Sequence, residues 1–543
     1  MTDSIAALLA AAGVADPRPL GGLLGRLAAE GSLRGAREGG RAIAPAALAG
    51  LPVRGVAFDS RRVAPGALFV AVPGDHADGH DYVEAATAAG AAAAIVERPL
   101  PAVALPQLVV ARSRHALASA AAWWYGDPSR ELGVVGITGT DGKTTTSFLA
   151  VAALDTAGIP AGLVGTIETK IGAVREPNPE HATTPEAPAL QSAIRAMVAA
   201  GDRAAVVETT SHGLALERVG GIGYDVAILT NLTHEHLEFH GTWEAYRDAK
   251  LSLFERLATG ERNPLKTIAG RAWPKAAIVN LDDPSAGLFA GVAQEAGARV
   301  VTYGTDPAAD VRADRVEEDD AGLRIAVTAP GGRAELVLRL AGRFNVHNAL
   351  AIVALGEVLR LDPEAVRSGL STVEGVPGRM ERIDAGQPFG VVVDYAHSPA
   401  SLDKVLGLLA PLAAARGGSL VAVFGSAGER DTAKRPMMGR IAGERCRLVV
   451  VTDEDPRGED RATILDEIAA GAEAAGRRRG HDLLLIADRR AAIEAAFERA
   501  RPGDIVLLAG KGHENSIIYA DGPLLYDERS AALDALAALG YRG

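Results

Sequence analysis

The chain has 543 residues, 48% hydrophobic and 23% charged, and its 68 acidic and 56 basic side chains leave a formal charge of −12. At about 150 residues per domain this length suggests roughly three or four domains with separate cores, and the composition is globular rather than disordered or fibrous. The acid excess argues against a general nucleic-acid or anionic-membrane binder, the single Cys446 excludes an internal disulfide or a cysteine zinc cluster, and no charge-free apolar run reaches the roughly 18 residues of a membrane span.

The chain opens with MTDSIAALLAAAGVADPRPL, which carries an acid where a secretory leader has basic residues, so a cytoplasmic protein is expected. A first block, 1–112, holds FDSRRVAPGALFVAVPG (58–74), an apolar strand AAAAIVE (91–97) and the proline-rich ERPLPAVALPQ (97–107). A second block, 113–375, repeats a short Val/Ile/Ala run, a polar loop and a helical stretch. Its runs are ELGVVGIT (131–138), RAAVVET (203–209), YDVAILTNL (224–232) and KAAIVNLDD (275–283). Between 310 and 340 apolar and polar residues alternate around a Gly-Gly turn, which predicts a small antiparallel addition. A third block, 376–543, follows VEGVPGRMERI (373–383) with FGVVVDYAH (389–397), SLVAVFGSAG (419–428), RLVVVTDED (447–455) and DIVLLAGKG (504–512). Continuous β-branched runs suit strands buried on both faces, hence parallel sheets covered by helices. The reading is an α/β protein with a P-loop-type central parallel sheet and a doubly wound C-terminal domain. Ligands of such sheets gather beyond the C-terminal strand ends, where the polar motifs of this chain fall.

The segment GITGTDGKTTTSFLAVAAL (136–154) sets a glycine-rich turn between a strand and a helix. Loop amides and the helix N-terminus make an anion site from Thr138, Gly139, Thr140, Asp141, Gly142, Lys143, Thr144 and Thr145. Lys143 adds a point charge, and a hydroxyl of Thr144 or Thr145 can hold Mg²⁺. The spacing departs from the usual phosphate loop, because Ile137 stands where its first glycine would be.

TGTDGKTT, followed by HATTPEAPALQ (181–191), ETTSHGLALERV (208–219), TNLTHEHLEFHG (230–241), AYRDAKLSLF (245–254), LAGRFNVHNALA (340–351), GRMERI (378–383), DYAHSPASL (394–402), GERDTAKRPMMG (428–439) and AGKGHE (509–514), resembles the Mur ligases in family order. The resemblance covers nearly the whole chain beyond residue 55 and is strongest to the branch that adds a diamino acid to UDP-N-acetylmuramoyl-L-alanyl-D-glutamate in peptidoglycan synthesis. It implies a UDP-sugar-binding domain, a central ATPase and a closing C-terminal domain, which fit the three blocks. It also implies a monomeric enzyme that uses ATP and Mg²⁺ to form an acyl phosphate, from which the amine then displaces phosphate. Two anions must meet in such a site, so cations and metal are needed to cancel their repulsion.

The family motifs carry roles onto particular residues. Lys143, Glu208, His236 and Lys250 fall at catalytic positions, with Thr144, Glu208, His236 and a carbamylated Lys250 as metal ligands. Taken alone, Glu208 and His236 read as solvated loop or strand-end groups, and Lys250, on the predicted helix 242–257, as a solvated charge. Carbamylation would require a depressed lysine pKa, as burial can provide. Asn280, Asp282 and Asp283 fit the adenosine side of ATP, to which Arg379, Asp394 and His397 would add. His347 and Asn348 either line the nucleotide or satisfy a buried turn. Asp59, Ser60 and Arg61 fall in the uridine-diphosphate region, and Thr183, Thr184, Ser211 and Arg218 at muramoyl-dipeptide positions. The chain has Glu235-His236-Leu237-Glu238 for the usual Asp-His-Leu-Asp, and Thr-Thr-Ser for Val-Ser-Ser. Both changes keep the type of functional group.

The incoming amino acid is expected at Arg430, Glu454, Asp455, Arg457, Gly510 and Glu514. Diaminopimelate-adding enzymes typically read Asp-Asn-Pro-Arg where this chain has Glu-Asp-Pro-Arg. Arg430 and Arg457 favour a distal carboxylate. Asp455, if not neutralised by Arg457, repels one and attracts a lone ammonium, which leans the expectation toward lysine or ornithine. Two other readings are a folylpolyglutamate- or cyanophycin-type ligase, which would lack HATTPE with SHGL, and a regulatory P-loop NTPase, which would leave the outer domains without a task.

Overall fold

The computed structural model describes residues 4–74, 77–178, 182–233, 237–258, 266–268, 270–319 and 322–542. It divides into two compact units, one of Met1–Asp319, Leu323–Leu338 and Arg343–Val373 and a second made chiefly of Glu374–Gly543.

The described residues of the first unit form two large sheets and two short two-stranded ones, Arg18–Pro19 with Pro52–Val53 and Thr267–Ile268 with Arg271–Ala272. The larger runs in the order Val174–Pro177, Glu168–Ile171, Ala161–Val164, Ala204–Glu208, Gly133–Thr138, Val226–Leu229, Ala276–Asn280, Arg299–Gly304, Val311–Asp319, Gly322–Ala329, Gly332–Leu338. From Ala161–Val164 to the start of Val311–Asp319 neighbours are parallel. All residues of Gly133–Thr138, Ala204–Glu208 and Val226–Leu229 are buried, as strands covered on both faces require. One face buries Val134, Val207, Ala227 and Val279 together with Leu190, Ile194 and Phe254. The helices Lys143–Thr156, Asn345–Leu359 and Pro363–Thr372 pack on one another. The antiparallel addition exists, with Gly322–Ala329 paired to Gly332–Leu338. It is no separate sheet, since Val311–Asp319 pairs in parallel with Arg299–Gly304 and prolongs the central one.

The smaller sheet runs Arg41–Ile43, Leu33–Glu38, Gln107–Val110, Ala93–Val96, Leu68–Val70, Val56–Ala57. Alternation along its strands sends Leu68, Val70 and Ile95 to one core with Leu23, Leu27 and Leu117, and Phe69, Ala94 and Val96 to another with Val83. The N-terminal helix Ile5–Ala11 joins neither layer. Ser4 caps it, the Ile5 N–H donates to Glu176 Oε1 at 3.0 Å, and Ile5 is buried in the central core beside Leu190 and Ile194.

The main sheet of the second unit runs in the order Glu381–Ile383, Gly390–Asp394, Ile505–Ala509, Leu420–Phe424, Leu448–Val451, Leu483–Leu485, parallel except for its first strand, and a hairpin pairs Ser516–Tyr519 with Gly522–Leu525. Helices Lys434–Arg445 and Arg461–Ala474 meet backbone to backbone. A Cβ on Gly439 would stand 1.8 Å from the Ile468 carbonyl oxygen, and one on Gly471 1.9 Å from that of Pro436.

Candidate active site

The strand Gly133–Thr138 ends at the middle of the central sheet and turns through Gly139–Gly142 into the helix that begins at Lys143. The turn needs glycine twice. Gly139 (φ 148°) lies against Thr230, where a Cβ would come within 1.9 Å of Oγ1, and Gly142 (φ 82°) lies against Asn348 at 2.5 Å. The loop is braced from the neighbouring strand exit: the Thr230 hydroxyl donates to the Asp141 carbonyl at 2.6 Å, and the Asp141 N–H donates to Asn231 Oδ1 at 3.0 Å. Lys143 Nζ lies over the loop, donating to the carbonyls of Gly139 and Thr140 at 2.9 and 2.7 Å.

Glu208, fully buried at the end of its strand, gathers hydroxyls under this loop. Its Oε2 accepts from Thr144 Oγ1 at 2.9 Å and Thr166 Oγ1 at 2.8 Å, and Oε1 accepts the Thr166 N–H at 3.1 Å. Thr166 Oγ1 stands 2.9 Å from Thr183 Oγ1, while Thr184 Oγ1 donates to the Glu208 carbonyl at 2.8 Å. A sequence reading misses Thr166, although it directly follows the exit of Ala161–Val164 and obeys the same strand-end rule. Thr145 is buried on the helix, and Thr138 Oγ1 is buried with no hydrogen-bond partner among the described residues.

Lys250 is not a solvated helix charge. It is 2% exposed, donates from Nζ to the Gly139 carbonyl at 2.7 Å and lies 4.7 Å from the centre of the Tyr246 ring. Tyr246, four residues earlier on the same helix face, places its hydroxyl 2.8 Å from Thr140 Oγ1. Lys143 and Lys250 therefore meet on the Gly139 carbonyl, and Glu208 joins the helix that follows this loop at Thr144. His236, and Glu235 beside it, lie outside the described residues.

On the neighbouring strand exit, Asn280 Nδ2 donates to the Thr230 carbonyl at 2.7 Å and its Oδ1 accepts the Asp282 N–H at 3.1 Å. Asp283 accepts the N–H groups of Leu232 and Ser285 at 2.6 and 2.8 Å. Both side chains brace loops through contacts with the protein itself. Asp282 holds the 304–306 turn and stands 2.7 Å from His347 Nε2, and these hydrogen bonds outweigh its burial and keep its carboxyl below the usual range. Asn348 bonds Asn345 and Thr146, satisfying a buried turn.

Ser211 opens the short helix Ser211–Ala215, and its Oγ is buried with no partner among the described residues. The Arg218 guanidinium is held 2.9 Å from Glu186 and donates to the Thr184 carbonyl at 3.0 Å. Asp59 caps the turn Ser60–Arg62 and pairs with the exposed Arg61 beyond a strand of the N-terminal sheet.

In the second unit, Asp394 accepts the N–H groups of Met380 and Ala396 at 2.8 and 2.9 Å. Burial pushes its carboxyl above the usual range against the pull of Arg379, which lies 4.9 Å from the Tyr395 ring. His397 Nδ1 stands 2.8 Å from the Tyr395 carbonyl. Arg430 is exposed. Glu454 lies 3.5 Å from the position of a Cβ on Gly510, and its buried Oε2 has no partner among the described residues. Arg457, at φ 56°, likewise buries an unpartnered Nε. Asp455 meets a cation other than Arg457. Its charge is met by neither Arg457 nor open space: the buried Lys511 Nζ donates to it at 2.8 Å and to Glu514 at 2.6 Å, and the Ile518 N–H adds a third bond at 3.0 Å. The Lys511 ammonium, shared with Glu514, offsets part of the Asp455 charge.

Family descriptions match in order: the Mur ligase family catalytic domain over residues 52–125, the Mur ligase middle domain over 137–356 and the Mur ligase glutamate ligase domain over 378–512. A UDP-N-acetylmuramyl-tripeptide synthetase of Roseiflexus sp. (strain RS-1) is 50% identical over 497 residues, 90% of this chain and 96% of that one. The chain belongs to the Mur ligase family. Another relative of this Mur ligase is a UDP-N-acetylmuramoyl-L-alanyl-D-glutamate–2,6-diaminopimelate ligase of Geobacter metallireducens (strain ATCC 53774 / DSM 7210 / GS-15), 42% identical over 79% of this chain and 81% of that one. The solved structure of a UDP-N-acetylmuramoyl-L-alanyl-D-glutamate–2,6-diaminopimelate ligase superposes with a TM-score of 0.61 at 32% identity, covering 90% of this chain and 96% of the other. A folylpolyglutamate synthase of Mycobacterium tuberculosis shares the fold at 19% identity over 72% of this chain, with a TM-score of 0.55. Mur ligases are ATP-dependent enzymes.

Proposed function

We propose that this Mur ligase joins a diamino acid to UDP-N-acetylmuramoyl-L-alanyl-D-glutamate at the expense of ATP, as a cytoplasmic monomer in bacterial peptidoglycan synthesis. The observation that carries the reading is the buried Glu208 carboxylate tied to Thr144 and Thr166 beneath a glycine loop that Lys143 and Lys250 both approach. Residues 1–112 take the UDP-sugar, 113–375 take ATP and 376–543 take the amino acid. Asp59, Ser60 and Arg61 serve the uridine diphosphate. Thr183, Thr184, Ser211 and Arg218 serve the dipeptide, and the buried Ser211 hydroxyl, without a partner among the described residues, suits a substrate acceptor.

In this reading the loop amides and Lys143 hold the β- and γ-phosphates, and Asn280, Asp283, Arg379, Asp394 and His397 serve the nucleotide directly or through the loops they brace. A substrate carboxylate oxygen attacks the γ-phosphorus, the bond to ADP breaks, and an acyl phosphate forms. The neutral amine then attacks the acyl carbon, phosphate leaves with the bonding electron pair, and the amine proton is released. The oxygen donors of Thr144 and Glu208 suit a hard cation, and Mg²⁺ would be held there with His236 and a carbamylated Lys250, neutralising the charge of the transferring phosphoryl group.

For the amino acid, Arg457 and Arg430 supply positive charge and Glu454 and Glu514 negative charge, while Lys511 offsets Asp455. A pocket with both signs left over suits a distal carbon bearing both an ammonium and a carboxylate, which favours meso-diaminopimelate over lysine or ornithine. The test is ADP release with meso-diaminopimelate, lysine and ornithine, each with and without the sugar nucleotide. Release that requires both substrates, with the highest kcat/KM for meso-diaminopimelate, is expected. ATP hydrolysis indifferent to the sugar nucleotide would refute the ligase reading, and preference for lysine would refute the choice of amino acid.

A further inference from the structure

We infer that Arg489, which touches no proposed ligand, is the positioning residue that holds the two amino-acid-binding loops at their working separation. The inference rests on the proposed amino-acid site. Arg489 is the first residue of the helix Arg489–Glu498, and its side chain is completely buried. Nε and Nη2 form a two-pronged pair with Glu528 at 2.8 and 2.6 Å, and the Tyr526 hydroxyl donates to the same carboxylate at 2.6 Å. The remaining donors go to main chain: Nη1 to the Asp453 carbonyl at 3.0 Å and Nη2 to the Ala509 carbonyl at 2.8 Å.

Those carbonyls sit where the pocket loops leave the sheet. Asp453 precedes Glu454, Asp455 and Arg457, and Ala509 precedes Gly510, Lys511 and Glu514. Their strands are not neighbours, because Leu420–Phe424 lies between them. Parallel exits two strands apart stand ~10 Å from each other, wider than one guanidinium bridges by hydrogen bonds. The exits therefore converge, and Gly425 at the end of the intervening strand is what lets them. A Cβ there would stand 2.3 Å from the Thr452 carbonyl oxygen and 2.8 Å from the Glu454 nitrogen, so residues 452–454 cross its bare backbone. Arg489 pins the crossing from beneath, and Glu528 fixes the fork so that both carbonyls receive a donor. Lysine, with one compact ammonium, cannot reproduce the fork.

The test uses full-length R489K and E528Q. R489K is expected to raise KM for the amino acid roughly tenfold or more, in the range seen when supporting hydrogen bonds behind a site are lost, with KM for ATP and the sugar nucleotide within about twofold. E528Q keeps the donors to both carbonyls and is expected to show the same selectivity at smaller size. Hydrogen exchange, which needs no activity, is expected to quicken in both 453–459 and 510–515 in each variant. A folded R489K with unchanged amino-acid KM and unchanged exchange in the two loops overturns the inference, as does a uniform rise in all three KM values. If R489K does not fold, E528Q decides alone: a lowered melting temperature without loop exchange or amino-acid KM effects leaves only a structural role. Loss of the amino-acid site itself would show differently, as wild-type ADP release independent of any amino acid.

Discussion

Replacing Asp455 by asparagine tests how far the Asp455 charge, held beside Lys511, decides which amino acid the pocket takes. Asparagine keeps an oxygen for the Lys511 and Ile518 donors and removes only the charge. A substrate carboxylate ~5 Å from an unpaired Asp455 would be repelled by roughly 3 kcal/mol at an effective dielectric near 20. Lys511 lies 2.8 Å from that carboxylate. Placed on its far side, the ammonium returns roughly 2 kcal/mol of attraction and leaves about 1. Asp455→Asn removes the full repulsion of roughly 3 kcal/mol while the Lys511 attraction stays, so it should raise the kcat/KM ratio of meso-diaminopimelate to lysine by about a hundredfold or more. The assay is initial-rate ADP release at varied amino acid with ATP and sugar nucleotide saturating. A shift below about tenfold would refute the charge argument.

Lys143→Ala should lower turnover by about 10²–10³-fold with an unchanged circular dichroism spectrum, as loss of a charge stabilising a transition state does; a folded mutant with full activity would remove the loop from the reaction. Lys250→Ala should be nearly inactive and partly rescued by a short carboxylic acid, and wild-type intact mass should show a bicarbonate-dependent addition. Absence of both effects would rule out the carbamate. Burial first, then the charges of Arg379 and Lys511, pull the His513 pKa down from 6.5 to about 3. The unfolded chain binds that proton first on acidification, so the stability contribution is complete above 6.5 and is lost as pH falls toward 3. His513→Gln should flatten the fall in urea midpoint across that window, and an unchanged slope would contradict it.

The sheets were legible because a buried parallel strand writes itself into consecutive residues, as in Gly133–Thr138 and Leu420–Phe424. The glycine loop was legible for the same reason, with strand, turn and helix contiguous. What joins distant segments was not. Thr166 meets Glu208 across 42 positions and Lys511 meets Asp455 across 56, and neither pairing alters any local period. Lys250 read as a solvated charge on its helix pattern alone, and only the family motif separated it from its neighbours. The helix Ile5–Ala11 precedes the N-terminal sheet in sequence yet lies in the core of the central one, a placement fixed by tertiary contacts with Leu190 and Ile194.

The contact between Lys434–Arg445 and Arg461–Ala474 has a consequence for how such a chain can vary. Where side chains interlock, a larger residue on one helix can be answered by a smaller one on its partner, and the pair drifts together through sequence space. At Gly439 and Gly471 neither helix has an atom left to surrender, and each faces a main-chain carbonyl that no substitution removes. Compensation is therefore closed at both positions. Their helices lead from the Arg430 loop and follow the Arg457 loop, so the amino-acid pocket can exchange its charged side chains over a backbone frame that has no route to change with them.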